Sequence, residues 1–368
     1  MRTEPVKVAL IGCGRIAGHH ARSIAETPGI ELAAVCDLAI EKAEAYAAEY
    51  GAQAYADYHA MLVAHPEIDV VAVITPSGMH REHALDVIRL HRRHVIVEKP
   101  TFMRPSHVRE AYAAAAEAGV QLFAVFQNRH NRAVQRVVRG LRDGELGRLR
   151  AAAVRVRWCR PQRYYDLAPW RGTFSLDGGC LTNQGVHHID LLRKLGGDVL
   201  RVASTLTTLG ADIEVEDVAV GAMTFASGAV GTIEVTTAAR PLDYEASISL
   251  VCEHGLAQIG GIAVNELQIY TPDPDACTAS SEDFSGNVYG YGHGQIYRDI
   301  AASLLHDVPY PVDEADALAT IRLLNAFYVA DETGQWVDVE RAGDSARLGR
   351  PDEALADLYR TPASQPTT

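Results

Sequence analysis

No run of apolar residues in this 368-residue chain approaches the roughly 20 needed for a membrane-spanning helix, which argues against a helical membrane protein. Basic residues are in deficit: 34 Lys and Arg stand against 47 Asp and Glu, a formal charge of -13. Phosphate contacts need a basic surface, so no nucleic-acid partner is expected. The six cysteines (Cys13, Cys36, Cys159, Cys180, Cys252 and Cys277) are scattered without a C-x-x-C pair, and no H-E-x-x-H or Cys/His ligand spacing occurs. Neither a disulfide framework nor a metal site is therefore expected, and free thiols in a reducing cytoplasm are the plain reading. The opening MRTEPVKVAL has no basic segment followed by a cleavable apolar run, so no secretory leader is expected either.

What is present is ordinary soluble material, 48% hydrophobic and 22% charged. The length is natural for two domains. Val6–Ile11 is a nearly continuous apolar strand, as expected when both faces of a parallel sheet are covered. Gly12-Cys13-Gly14-Arg15-Ile16-Ala17 follows, then a helical stretch to about Glu26, then a strand Leu32–Cys36 ending in Asp37. This order fits the dinucleotide fingerprint. Gly12 permits the tight turn, Gly14 lets the backbone approach a pyrophosphate, and the helix N-terminus supplies N–H groups to that anion. Asp37 would accept hydrogen bonds from ribose hydroxyls and would repel a 2′-phosphate, so NAD is expected rather than NADP.

The alternation continues with a strand Ile68–Ile74 ending in Thr75-Pro76, a helix near Glu82–Leu90, a strand His94–Val97, a helix Ser106–Ala118 and a strand Gln121–Phe126. The pattern predicts an α/β doubly wound Rossmann sheet over 1–126, with ligand at the carboxyl ends of its strands. Gly12, Asp37, Thr75 and Lys99 all fall at those ends. Beyond residue 127, Arg150–Arg157, Val202–Thr207, Val215–Phe225, Ala229–Thr237, Ala246–Val251 and Leu256–Ile259 read as strands of a second domain reaching to 345. A polar tail, 346–368, closes the chain, either solvated or packed on a neighbouring subunit.

The fingerprint, Thr75-Pro76 with His80, Glu98-Lys99-Pro100, and Gly178-Gly179 leading to Gly185, His187 and Asp190 together resemble the glucose-fructose oxidoreductase / inositol dehydrogenase family. That resemblance implies a C-terminal α+β domain on a large, open, mostly antiparallel sheet, and a homodimer or homotetramer assembled through it. It also implies that Arg15, Ile16, Thr75, Pro76, His80, Glu98 and Gln127 join Gly12, Gly14 and Asp37 in holding the cofactor. A narrower similarity lies in Gln127-Asn128-Arg129, Trp158, Tyr164-Tyr165-Asp166, Trp170-Arg171-Gly172, DGGCLTNQGVHHIDLL and the VYGYGH of 288–293. These stretches look like the branch that oxidises the 3-position of UDP-N-acetylglucosaminuronic acid, and they imply substrate contacts from Arg129, Arg163, Tyr165, Trp170, Arg171, His188 and His293.

Oxidation of an alcohol needs a base for the hydroxyl proton and a group that steadies the developing alkoxide. Lys99, delivered by a strand and followed by a proline that restricts its backbone, suits the second task. His187 shares a face of an expected helix with Asn183, four residues earlier, and an imidazole suits the first. His188 competes with it on the residues alone; the family pattern selects His187. Many family members carry aspartate where this chain has Asn183, which cannot take a proton, so a Lys99/His187 pair is the simpler expectation. Arg157, Arg160, Arg163 and Arg171, interleaved with Trp158, Tyr164, Tyr165 and Trp170, match an anionic sugar or sugar nucleotide. The expectation is an NAD-dependent oxidation of a sugar carbinol. A ketoreductase of a deoxysugar nucleotide, a dehydrogenase of a free sugar or inositol, and a non-catalytic NAD-binding regulator stay open beside it.

Overall fold

The computed structural model describes residues 4–285 and 288–361. The first half runs Val6–Ile11 (β1), Ala17–Ala25 (α1), Ile30–Cys36 (β2), Ile40–Tyr50 (α2), Gln53–Tyr55 (β3), Tyr58–Ala64 (α3) and Val70–Val73 (β4). It continues with His80–Arg89 (α4), His94–Val97 (β5), Pro105–Ala118 (α5) and Leu122–Ala124 (β6). The strands form one parallel sheet in the order β3-β2-β1-β4-β5-β6. Every residue of β4 is buried, the burial that continuous apolar strands between two helical layers require. The strand order reverses between β1 and β4, which opens a crevice at their carboxyl ends.

The second half runs Arg132–Arg142 (α6), Leu149–Arg157 (β7), Gln162–Tyr165 (α7), Val186–Gly196 (α8), Val199–Thr207 (β8), Val218–Phe225 (β9), Val230–Thr236 (β10) and Glu245–Cys252 (β11). After these come Leu256–Gly260 (β12), Glu266–Tyr270 (β13), Ala276–Ser280 (α9), Gly292–His306 (α10), Glu314–Thr333 (α11), Val337–Asp338 (β14) and Glu353–Ala356 (α12). Its eight strands lie in the order β13-β12-β11-β7-β10-β9-β8-β14. β7 and β10 run parallel, and the other neighbours antiparallel. Helices α8 and α11 cover one face. The other face leaves Val220, Val230, Val251, Leu256 and Ile269 exposed.

The sequence-based division is crossed twice. Helix α10 returns to the first sheet, where Ile296, Tyr297 and Ile300 share a core with Val8, Leu10 and Ala21. The tail also folds back: Arg360 donates to both carboxylate oxygens of Glu82 at 2.7 and 2.8 Å, so residues to 361 pack on their own chain. The expected tail beyond 361 lies outside the described residues.

The expected helix through Asn183 and His187 is broken in two. Cys180–Gln184 is a π-turn, closed by the Gly185 N–H donating to the carbonyl of Cys180 at 2.8 Å, and α8 starts only at Val186. Gly179 leads into it at φ 78°, where a Cβ would lie 2.3 Å from the Glu216 carboxylate. Glu216 lies buried beneath this turn and accepts from the Leu181 N–H (3.0 Å) and the Tyr328 hydroxyl (2.8 Å). Burial pushes its carboxyl up to about 8. The folded state thus prefers neutral Glu216, and this contribution is complete below the unfolded carboxyl pKa and lost as pH rises through the folded one. Relative to Glu216→Gln, the wild-type melting temperature is expected to fall from about pH 5 to about pH 8 and then level off; parallel melting curves across that window would contradict it.

Candidate active site

A cavity of about 580 Å³ opens at the switch point, walled on one side by strand ends and loops of the first sheet and on the other by loops, a short helix and the π-turn of the second half. At one end stand Gly12, Gly14, Arg15, Ile16 and Asp37. A Cβ on Gly12 would lie 2.9 Å from the Ile74 carbonyl, whereas one on Gly14 would meet no protein atom within 4 Å. The first glycine lets the loop close on β4, and the second leaves room on the cavity side. Helix α1 starts without a side-chain cap; its Ala17 and His19 N–H groups donate to the Gly14 and Ile16 carbonyls, and its dipole still favours an anion at this end. Asp37 braces this loop by accepting from the Cys13 N–H (2.8 Å) and the Ala39 N–H (2.9 Å). A carboxylate offers about four acceptor sites, so ribose hydroxyls can still be accommodated.

At the other end β5 delivers Lys99, whose ammonium donates to the Asn183 carbonyl (2.9 Å) and to Asn183 Oδ1 (3.3 Å). Burial lowers its pKa, and the neighbouring Glu98 and Asp177 carboxylates oppose that fall. Glu98 Oε2 accepts the Lys99 backbone N–H at 2.7 Å. Its Oε1 meets His20 Nε2 (3.3 Å) and His293 Nε2 (3.1 Å), while His20 Nδ1 meets the Tyr297 hydroxyl (2.8 Å). Burial pushes the Glu98 carboxyl up, but the two imidazoles more than offset this and hold it well below the usual range. His20, Glu98 and His293 have ligand-type atoms within 4.8 Å of one another, and their hydrogen bonds account for that closeness.

His187 lies buried beside this pair, with Nε2 3.1 Å from the amide nitrogen of Gln127. Burial first, and the Lys99 charge second, lower its pKa to about 3, so the imidazole is neutral at physiological pH. Gln127 Oε1 and His187 Nδ1 have no partner among the described residues. Gln127 lines the cavity, whereas His187 touches Gln127 without lining it, and the orphaned Gln127 oxygen fits a site built for a polar ligand. His80 lines the same wall, its ring nitrogens 2.9 Å from the Pro100 carbonyl and 3.0 Å from that of Thr75, tying the loop after β4 to the end of β5.

The expected substrate residues divide. Trp170 and Arg171 line the cavity. Arg171 is stacked 4.4 Å from the ring centres of both Tyr164 and Trp170 and donates to the Tyr164 hydroxyl at 2.6 Å. Among the described residues no carboxylate pairs with it, and its Nε is buried without a partner. The other expected contacts lie elsewhere. Tyr165 turns inward to Thr237 (2.9 Å), and it is Tyr164 that faces the cavity. Arg163 is exposed away from the wall, and His188 packs edge-on against Trp158. His293 serves Glu98. Arg129 is buried in an ion-pair cluster, 2.7 and 2.5 Å from Asp190 and 2.5 Å from Asp316. Removing that guanidinium would strand a buried carboxylate at about 3–5 kcal/mol, a role in stability. The arginine-rich stretch hid this sorting because a charged residue's partner is set by the fold.

Residues 6–126 match the family model described as an oxidoreductase family, NAD-binding Rossmann fold, and residues 134–258 match the GFO/IDH/MocA C-terminal domain. The solved WlbA dehydrogenase of Bordetella pertussis, in complex with NADH and UDP-GlcNAcA, is 35% identical with a TM-score of 0.85, over 92% of this chain and 99% of that one. The chain belongs to the GFO/IDH/MocA family. The WlbA dehydrogenase of Chromobacterium violaceum, solved with the same two ligands, is 34% identical with a TM-score of 0.84, over 92% of this chain and 97% of that one. Among curated relatives, the D-glucoside 3-dehydrogenase of Escherichia coli is 34% identical over 52% of this chain, and the D-apiose dehydrogenase of Paraburkholderia graminis 29% over 64%. The chain spans 54% and 61% of the lengths of those two relatives.

The glycine loop of this GFO/IDH/MocA chain therefore sits in an NAD-binding domain. Tyr289 of the VYGYGH stretch also faces the cavity, as do residues that no motif had singled out, among them Leu358, Tyr359 and Thr361. Tyr359 is held by its hydroxyl accepting the Trp170 N–H at 3.3 Å. Asp37→Ala is expected to weaken NAD binding about tenfold and to admit NADP, since it removes one charge-assisted contact worth about 1.4 kcal/mol and the repulsion of a 2′-phosphate. Fluorescence titration with both cofactors checks this; unchanged NAD affinity with NADP still excluded would remove Asp37 from cofactor choice.

Proposed function

We propose that this chain is an NAD-dependent dehydrogenase of an anionic sugar, acting at the 3-position of a UDP-sugar acid. The observation that carries the anionic substrate is Arg171: a stacked guanidinium on the cavity wall with no carboxylate of its own among the described residues. By contrast, Arg157 pairs with Glu234 and Arg160 with Asp243. A guanidinium left without its counter-charge is suited to a substrate carboxylate or phosphate. The two WlbA structures, crystallised with UDP-GlcNAcA, support the same reading.

Bound NAD supplies the hydride acceptor. Gly12, Gly14 and Asp37 hold its adenosine end, and Gln127 offers an unpaired amide oxygen near Lys99. The Lys99 ammonium has three N–H donors; two go to Asn183, and the third steadies the substrate oxygen as charge develops on it. His187 takes the hydroxyl proton. Its neutral form has one acceptor nitrogen, and the Gln127 N–H occupies it at Nε2, so that bond opens before the proton arrives; burial makes the imidazole a weak base that passes the proton on. The relatives named for D-apiose and D-glucosides favour a second reading, a neutral sugar, free or as a glycoside, in the same site.

Absorbance at the reduced-nicotinamide band, followed with NAD and parallel wells of UDP-N-acetylglucosaminuronic acid, its neutral UDP-N-acetylglucosamine counterpart and free sugars, separates these. A signal confined to the acid supports the proposal, and one confined to a free sugar transfers the site to the second reading. Lys99→Met should bind NAD normally yet lose about 1,000-fold in turnover; normal turnover would end the role given to Lys99. Arg171→Gln should raise KM for the acid about tenfold or more, as expected for one lost charged hydrogen bond, with NAD affinity unchanged. An unchanged KM would free Arg171 of substrate.

We also infer that the open face of the eight-stranded sheet joins copies of this chain, since five apolar side chains from five of its strands stand exposed there. Val230, 54% exposed, lies among them. Val230→Lys is expected to dissociate the assembly in sedimentation velocity, whereas a wild-type monomer would refute the inference.

A further inference from the structure

Asp177 is a buried carboxylate, 1% exposed, with no cation at ion-pair distance among the described residues. Its neighbours explain why it is tolerated. Asp177 Oδ2 accepts the Gly172 N–H at 2.7 Å, and Oδ1 accepts the side-chain amide N–H of Asn183. A carboxylate in this state only accepts, so the Asn183 nitrogen must face Asp177 and its oxygen must face Lys99. The 3.3 Å contact from the Lys99 ammonium to Asn183 Oδ1 completes a chain of one polarity: ammonium, amide oxygen, amide N–H, carboxylate. Gly172 is the residue after Arg171, so the same carboxylate also anchors the loop that carries the cavity's unpaired guanidinium. Lys99, Arg171, Tyr164 and Tyr165 are the titratable or charged groups that act on it among the described residues.

We propose that Asp177 is a positioning residue for the reaction: through Asn183 it aims the Lys99 ammonium, and through Gly172 it sets the Arg171 loop. The inference rests on the role given to Lys99 above. Asp177 thereby acts as counter-charge to a lysine it does not touch, with the Asn183 amide dipole between them. Burial, the largest effect, leaves its carboxyl above the usual range, against the downward pull of the Gly172 and Asn183 N–H groups and the charges of Arg171 and Lys99. Those partners favour the ionised, acceptor-only form on which the orientation of Asn183 depends.

The test moves the carboxylate along the chain. Asp177→Asn keeps an acceptor for Gly172 but offers an NH2 group to Asn183, whose amide then turns its own nitrogen toward the ammonium. Its kcat is expected to fall about tenfold to a hundredfold, with NAD affinity and cooperative melting retained. Asn183→Asp alone sets two carboxylates side by side and should be impaired as well. The double variant, Asp177→Asn with Asn183→Asp, places the charge directly on Lys99 with an amide behind it and should recover most of the lost kcat. A merely structural Asp177 predicts no such recovery. The proposal is overturned if Asp177→Asn turns over normally, or if the double variant is no better than the singles. Inactive Lys99→Met beside a normal Asp177→Asn would remove this inference alone, whereas an active Lys99→Met would remove the reading beneath it.

Discussion

Placing a lysine ammonium at the end of a buried parallel strand removes part of its hydration, and burial pushes the Lys99 pKa down. The surrounding structure is organised to keep that charge. Glu98, immediately before it, is held ionised by His20 and His293. The Asn183 carbonyl and amide oxygen accept hydrogen bonds from the ammonium, and Asp177 stands behind the amide. A cation already solvated by fixed dipoles needs no reorganisation when negative charge appears on a nearby oxygen, which is the condition for electrostatic stabilisation of a transition state.

These groups come from every part of the chain. Lys99 and Glu98 end β5 of the first sheet, and Asn183 sits on a π-turn over the second. His293 opens α10, which returns to the first sheet, and residues near 359 close one wall of the cavity. The π-turn matters because an unbroken α-helix would have committed the Asn183 carbonyl to its own ladder. Glu216, Gly179 and Gly185 give that turn its shape. Stability beneath the turn and electrostatics above it are therefore parts of one construction.

Much of the cofactor half was legible in the residues. The fingerprint is local: strand, glycines, helix and acid follow one another within some thirty positions, and each is fixed by its own backbone needs. The place of Lys99 at the end of β5 was legible for the same reason. Asp177 was not, although it stands at the head of the Gly178-Gly179 stretch, because a carboxylate before two glycines is also an ordinary turn residue. Its meaning depends on Asn183 lying across the turn, a contact that only the π-geometry creates. Arg129 and Arg171 looked alike as charges, and only the positions of Asp190 and Asp316 separate an ion-paired core arginine from an unpaired one. Tyr164 and Tyr165 differ by one position on a short helix, enough to turn one ring to the cavity and the other to Thr237.

The most direct test is a titration of Lys99 itself, by NMR of protein carrying 13Cε-labelled lysine, with the Lys99 resonance assigned by its absence in Lys99→Met. The account predicts a pKa below the ordinary lysine range, falling further in Asp177→Asn as a counter-charge is lost. A Lys99 that titrates like a solvent-exposed lysine, and identically in both proteins, would contradict it.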